Sequence, residues 1–123
     1  MKKKLQELAQ ITETIFAAQS TTMQQLRTQE AKLRNDLATL IANAKQAEAD
    51  FNSDLSLKAT GADILWQGWA GRNRAELQTR LANILVSKAE EAENLKQAFG
   101  RKEVAAELVQ RDIQDRRKMT SRY

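Results

Sequence analysis

The sequence predicts an all-α protein built as one long antiparallel two-helix coiled-coil hairpin, and three observations carry that prediction. Strong helix formers (Ala, Leu, Glu, Gln, Lys and Arg) dominate a chain that has no proline and only four glycines, so almost nothing interrupts a helical backbone. Apolar residues recur at alternating steps of three and four on both sides of the middle of the chain. Between the two runs lies a polar break that ends in Gly61. Similar run lengths on either side favour a hairpin over a bent rod that dimerises, and a monomeric hairpin is the expectation.

The first helix is expected over about residues 3–52. Its seam is clearest through Leu33, Leu37, Leu40, Ala44, Ala47 and Phe51, and counting back in the same register reaches Leu26, Met23 and Phe16. Leu8, Ile11 and Ile15 fall one residue out of phase. Ser20, Thr21 and Thr22 are weak helix formers, so the pattern predicts a register slip or local bend near residues 19–22.

Residues 53–61 form the expected connection, rich in side chains that compete with helical hydrogen bonding. Thr60 and Asp63 have N-cap and N3 spacing, which starts a second helix near Ala62. That helix, expected over about 62–119, carries Leu85, Ala92, Phe99, Ala106 and Ile113 every seven residues. Leu81, Lys88, Leu95, Lys102 and Val109 interleave with them. Small alanines suit a narrow two-helix seam, and the lysines can snorkel out of it. Glu30 and Arg34, Glu76 and Arg80, and Asp112 and Arg116 are spaced for i,i+4 ion pairs.

At 123 residues, with 41% hydrophobic and 5% aromatic residues, the chain supports one domain over 1–123 and a thin seam rather than a thick core. It has no cysteine, which fits a reducing compartment, and the cytoplasm is the expected location. Lys2, Lys3 and Lys4 are followed by Gln6, Glu7, Gln10 and Glu13 with no apolar run, so neither a signal peptide nor a membrane span is expected. The net charge of +4 is terminal: Lys2 to Lys4 contribute three charges, and Arg116, Arg117, Lys118 and Arg122 contribute four. A chain folded back on itself gathers these into one basic end.

Without histidine or cysteine, the usual nucleophilic dyads and zinc sites are excluded, and no glycine-rich phosphate loop follows a strand. No enzyme activity and no cofactor are expected. Asp50-Phe51-Asn52-Ser53-Asp54 matches the first half of a calcium loop, but Leu55 stands where glycine makes the turn and Gly61 where the bidentate glutamate belongs.

Two regions remain as candidate partner-binding sites. Trp66 and Trp69, with Leu65 four residues before Trp69, put an apolar face next to Arg72 and Arg74. It is either a plug that closes the turn against Phe51, Leu55 and Leu57 or a docking face, since Trp and Arg combine large burial with directional polar groups. Gly68 and Gly71 within the same helical pattern imply close backbone approach or local flexibility. The other region is the basic end, Lys2, Lys3, Lys4, Arg116, Arg117 and Lys118, which suits an acidic protein surface. Nucleic acid is the lesser expectation, because only Tyr123 interleaves with that cluster.

A short, cysteine-free helical hairpin of this composition resembles the FliJ/YscO group of coiled-coil stalk proteins of flagellar and type III export machines. The resemblance is one of architecture over nearly the whole chain. Its local points are Ile64-Leu65-Trp66-Gln67-Gly68-Trp69, Arg72-Asn73-Arg74-Ala75-Glu76-Leu77 and Ala98-Phe99-Gly100-Arg101. It implies a non-enzymatic stalk that fits an export ATPase ring, contacts the export gate and in some members escorts substrate chaperones, with a location peripheral to an inner-membrane export complex. The chain is short for that group, and its tryptophan-rich corner is not a general feature of it. A generic coiled-coil adaptor, including a phage-type structural protein, and a small basic nucleic-acid-associated protein remain the alternatives.

Overall fold

The computed structural model describes residues 2–122, which form three helices: α1 Lys2–Ser53, α2 Leu55–Ala59 and α3 Ala62–Arg122. The two long helices pack against each other as an antiparallel hairpin. They divide into two compact units, one of Met1–Gln25 with Lys88–Tyr123 and one of Leu26–Ser87. The expected connection is shorter than predicted, because α2 occupies most of it.

Local chemistry explains the corner. The backbone breaks at Asp54, which is extended (φ −126°, ψ 96°), and its side chain caps α2 by accepting from the Ser56 backbone N–H. Ser53 Oγ donates to the Asp50 carbonyl at 3.0 Å, which satisfies an acceptor in the last turn of α1. At the other end of α2, Gly61 takes φ +77°, a left-handed conformation that costs glycine nothing. Its N–H donates to the Lys58 carbonyl, and its own carbonyl accepts from Leu65 N–H to begin α3. Thr60 is therefore not the N-cap of α3. It is helical (φ −82°, ψ −8°) at the end of α2, and its hydroxyl donates to the Leu57 carbonyl at 2.7 Å. Asp63 does occupy the first turn of α3, where a carboxylate complements the helix dipole.

Within the terminal unit, α1 turns Leu5, Ala9, Thr12, Phe16, Gln19 and Met23 inward, at unbroken steps of four and three. There is no register slip. The threonines near the expected slip stay helical because Thr21 and Thr22 donate their hydroxyls back to the Ala17 and Ala18 carbonyls. Thr12, on the seam, satisfies its hydroxyl on the Ala9 carbonyl in the same way. Leu8, Ile11 and Ile15 lie outside the seam and are 42%, 56% and 44% exposed.

The α3 seam differs from the predicted one by one residue on one of its two rows. Lys88, Leu95, Lys102 and Val109 turn inward as expected, and Ile113 of the other expected row is half-buried too, but Glu91, Ala98, Ala105 and Asp112 take that row's place in the seam. Phe99 is 49% exposed and Ala92 and Ala106 are exposed. The reason is steric. Ala98 and Ala105, at 3% and 2% exposure, let the helices approach closely, and a phenylalanine between the backbones would hold them apart.

In the unit that contains the corner, α1 presents Leu33, Leu37, Leu40, Ala44, Ala47 and Phe51, as predicted. On α3, Ala70, Leu77 and Ile84 recur every seven residues, with Asn73 and Leu81 between them and Trp66 one turn before Ala70. The three predicted ion pairs form, Arg34 to Glu30 at 2.8 Å, Arg80 to Glu76 at 2.6 Å and Arg116 to Asp112 at 3.2 Å, and Arg111 to Glu107 adds a fourth at 2.7 Å.

Candidate functional site

At the corner, the two tryptophans have different environments. Trp66 is a seam residue, half-buried, and lines a groove of about 400 Å³ with Leu40, Ala44, Phe51, Ala70 and Arg74. Trp69, one turn on, is 51% exposed. The rings meet edge to face, 5.6 Å between centroids at 74°. One indole thus belongs to the packing and the other sits on its outer edge.

The plug expected against Phe51, Leu55 and Leu57 forms only through Phe51. Leu55 is 76% and Leu57 42% exposed. Ile64 and Leu65 add 71% and 76% exposure on the first turn of α3. Leu55, Ile64, Leu65 and Trp69 therefore give the corner an open apolar surface, of which the sequence pattern flagged Leu65 and Trp69 but not Ile64. Its signal was the adjacent apolar pair Ile64-Leu65, which no single helix face can bury.

Arg72 and Arg74 are both exposed. Arg72 extends back over the backbone of Gly68, its guanidinium 3.4 Å from where a Cβ there would stand, and Arg74 borders the groove beside Trp66. No neighbouring helix approaches Gly68 or Gly71: a Cβ at Gly71 meets nothing within 4 Å. The expectation of close backbone approach does not hold, and both glycines lie in continuous helix. Asn73 donates from Nδ2 to the Trp69 carbonyl at 2.9 Å. Asp54, at the start of α2, is held below the usual carboxylate range, first by the Ser56 hydroxyl at 2.6 Å and then by the Ser56 N–H at 3.0 Å.

The second candidate site lies wholly in the terminal unit. Lys2, Arg116 and Arg117 line one shallow groove with Ile113, Thr120 and Ser121, and Lys3, Lys4 and Lys118 are exposed. Folding does gather the two basic runs. The side chain of Arg122 lies outside the described residues. At the C-terminus of α3 these cations complement the helix dipole, but three lysines in the first turn of α1 oppose it, with no acidic residue there to compensate. Such a cluster costs stability and so suits a role in binding anionic groups.

Among the described residues, no group of three acidic side chains is placed to hold a metal ion. No protein-family model, curated protein or solved structure matches the chain.

Proposed function

We propose that the chain is a non-enzymatic coiled-coil adaptor, acting as the stalk of a flagellar or type III protein-export apparatus. On this reading it works in the cytoplasm, engaging an export ATPase ring and the export gate, with substrate chaperones as further partners. The supporting observation is a pair of long helices with an open apolar corner on one unit and a gathered basic cluster on the other. Both are surfaces for protein partners: Trp69 and Arg72 are of the types that concentrate binding energy, and the basic cluster complements an acidic surface and speeds encounter with it. No described helix is long and apolar enough to cross a membrane. Association through protein surfaces supplies any membrane-proximal location.

The stalk reading is tested by adding the purified chain to the cognate export ATPase. Raised hydrolysis, lost on substitution of Lys2, Lys3 and Lys4 or of Arg116, Arg117 and Lys118 by glutamine, is the expected result. Absence of both binding and stimulation overturns it. A generic coiled-coil structural adaptor is the second reading, favoured by the apolar residues that the terminal unit leaves outside its own seam.

A further inference from the structure

The groove at the basic end of the terminal unit combines a cationic rim with an apolar residue. Lys2 of α1 and Arg116, Arg117, Thr120 and Ser121 of α3 line it together with half-buried Ile113, and no carboxylate does. Among the described residues, Lys2 and Arg117 are in no ion pair. Arg116 meets Asp112 through Nε at 3.2 Å, which leaves the two terminal nitrogens of its guanidinium for another acceptor. The hydroxyls are already spent as donors within α3, Thr120 on the Arg116 carbonyl and Ser121 on the Lys118 carbonyl, each at 2.9 Å. The side-chain donors left to a ligand are therefore all cationic.

A ligand that fits this groove is anionic toward the rim and apolar toward Ile113. Nucleic acid supplies the charge, but its bases stack on aromatic side chains, and no residue lining the groove is aromatic. Phosphate pairing alone also leaves Ile113 and the aliphatic stems of the lysine and arginines in water. A protein segment meets both demands, because carboxylates pair with guanidinium and ammonium groups while a neighbouring aliphatic side chain covers the apolar part.

We propose that this groove docks an acidic protein segment in which one leucine-sized side chain, flanked by Asp or Glu, seats on Ile113. Lys2, Arg116 and Arg117 hold the flanking carboxylates. Lys3, Lys4 and Lys118, exposed at adjoining positions, speed the encounter. The first N–H groups of α1, which have no acceptor within the helix and no acidic side chain in their turn, add to the attraction. The inference rests on the reading of the basic end as a protein-binding surface and names the chemistry of the partner there.

The test is an NMR titration of the full chain with a blocked peptide, Glu-Asp-Glu-Leu-Glu-Asp-Glu, at millimolar concentration, read at the Ile113 methyl groups. They should shift and saturate, and the same peptide with serine for leucine should bind at least about threefold more weakly. Lys2→Gln with Arg117→Gln should weaken the leucine peptide by about fivefold. Ile113→Ser should remove its preference over the serine peptide, with far-UV circular dichroism as the control for folding in both variants. Unmoved Ile113 methyls, or equal binding of the two peptides by the wild type, would overturn the proposal. Duplex DNA should shift the lysine and arginine resonances and leave the Ile113 methyls in place; an equal shift of those methyls would assign the groove to nucleic acid instead. Because the probe is a free peptide, a failure here leaves the export reading standing, and an export ATPase that is not stimulated leaves the groove standing.

Discussion

The Phe16 and Phe99 rings lie 5.8 Å apart between centroids, tilted by 54°, although only Phe16 belongs to the seam. Lys102 Nζ stands 4.8 Å over the Phe16 ring, so a seam lysine escapes burial by resting its charge on an aromatic face. Phe99 caps the side of the packing rather than its centre. Phe16→Ala should therefore cost about 2–3 kcal/mol, below the range for a fully buried phenylalanine, and Phe99→Ala about 1 kcal/mol. A double-mutant cycle by urea denaturation should return a coupling of about 0.5–1.5 kcal/mol. Strict additivity would mean that the rings do not support each other.

The α3 register makes neighbouring alanines behave differently. Ala105 is 2% exposed between the helices, whereas Ala106 is exposed. Ala105→Leu should force the helices apart and cost about 1–3 kcal/mol. Ala106→Leu should change stability by less than about 0.5 kcal/mol. Thermal melts of the two variants check this, and the reverse order would restore the seam through Phe99 and Ala106.

That pair also shows what was legible in the sequence. Both long helices, their approximate ends and the row Lys88, Leu95, Lys102, Val109 follow from period and propensity alone. The other row does not, because hydrophobic pattern ranks Phe99 above Ala98, while close helix approach rewards the smaller side chain. The same weighting made Leu8, Ile11 and Ile15 look like a slipped register, when they are surplus to a seam that runs on unbroken. At the candidate sites, the gathering of Lys2 with Arg116 and Arg117 followed from topology. The division of labour between Trp66 and Trp69 did not, because a three-residue spacing places both indoles near the seam without saying which one enters it.

Trp66 and Trp69 should accordingly separate fold from binding. Trp66→Ala removes a lining residue of the groove beside Phe51 and Ala70 and should cost about 2–3 kcal/mol in chemical denaturation. Trp69→Ala, at a half-exposed position, should cost no more than about 1 kcal/mol. It should nonetheless weaken docking of a partner on the corner. The variant would contradict this assignment by melting as early as Trp66→Ala.

Asp54 links the corner to pH. Its carboxylate accepts both the Ser56 hydroxyl and the Ser56 N–H, which lowers its pKa in the folded state. A depressed carboxylate stabilises the fold fully above its unfolded value and loses that contribution as pH falls through the folded value. Acidification should thus release the start of α2 while the long helices stay paired. The Ser56 amide resonance in an NMR titration should move with a midpoint below the usual aspartate range, and Asp54→Asn should abolish that movement. A midpoint at or above the usual range would remove the cap from this account.

One substitution should act with opposite signs at two glycines. Gly61 has φ +77°, and a Cβ there meets nothing within 4 Å, so any penalty is conformational alone. Gly61→Ala should destabilise the corner by about 1–2 kcal/mol, the cost of a left-handed backbone for a residue with a side chain. Gly71 sits in the continuous helix α3, also with open space at its Cβ. Gly71→Ala should stabilise by about 0.5–1 kcal/mol, because alanine has less backbone entropy to lose and clashes with nothing. Paired thermal melts should move in opposite directions from wild type. A loss of stability in Gly71→Ala would point to an approach at that face that the packing of this unit does not contain.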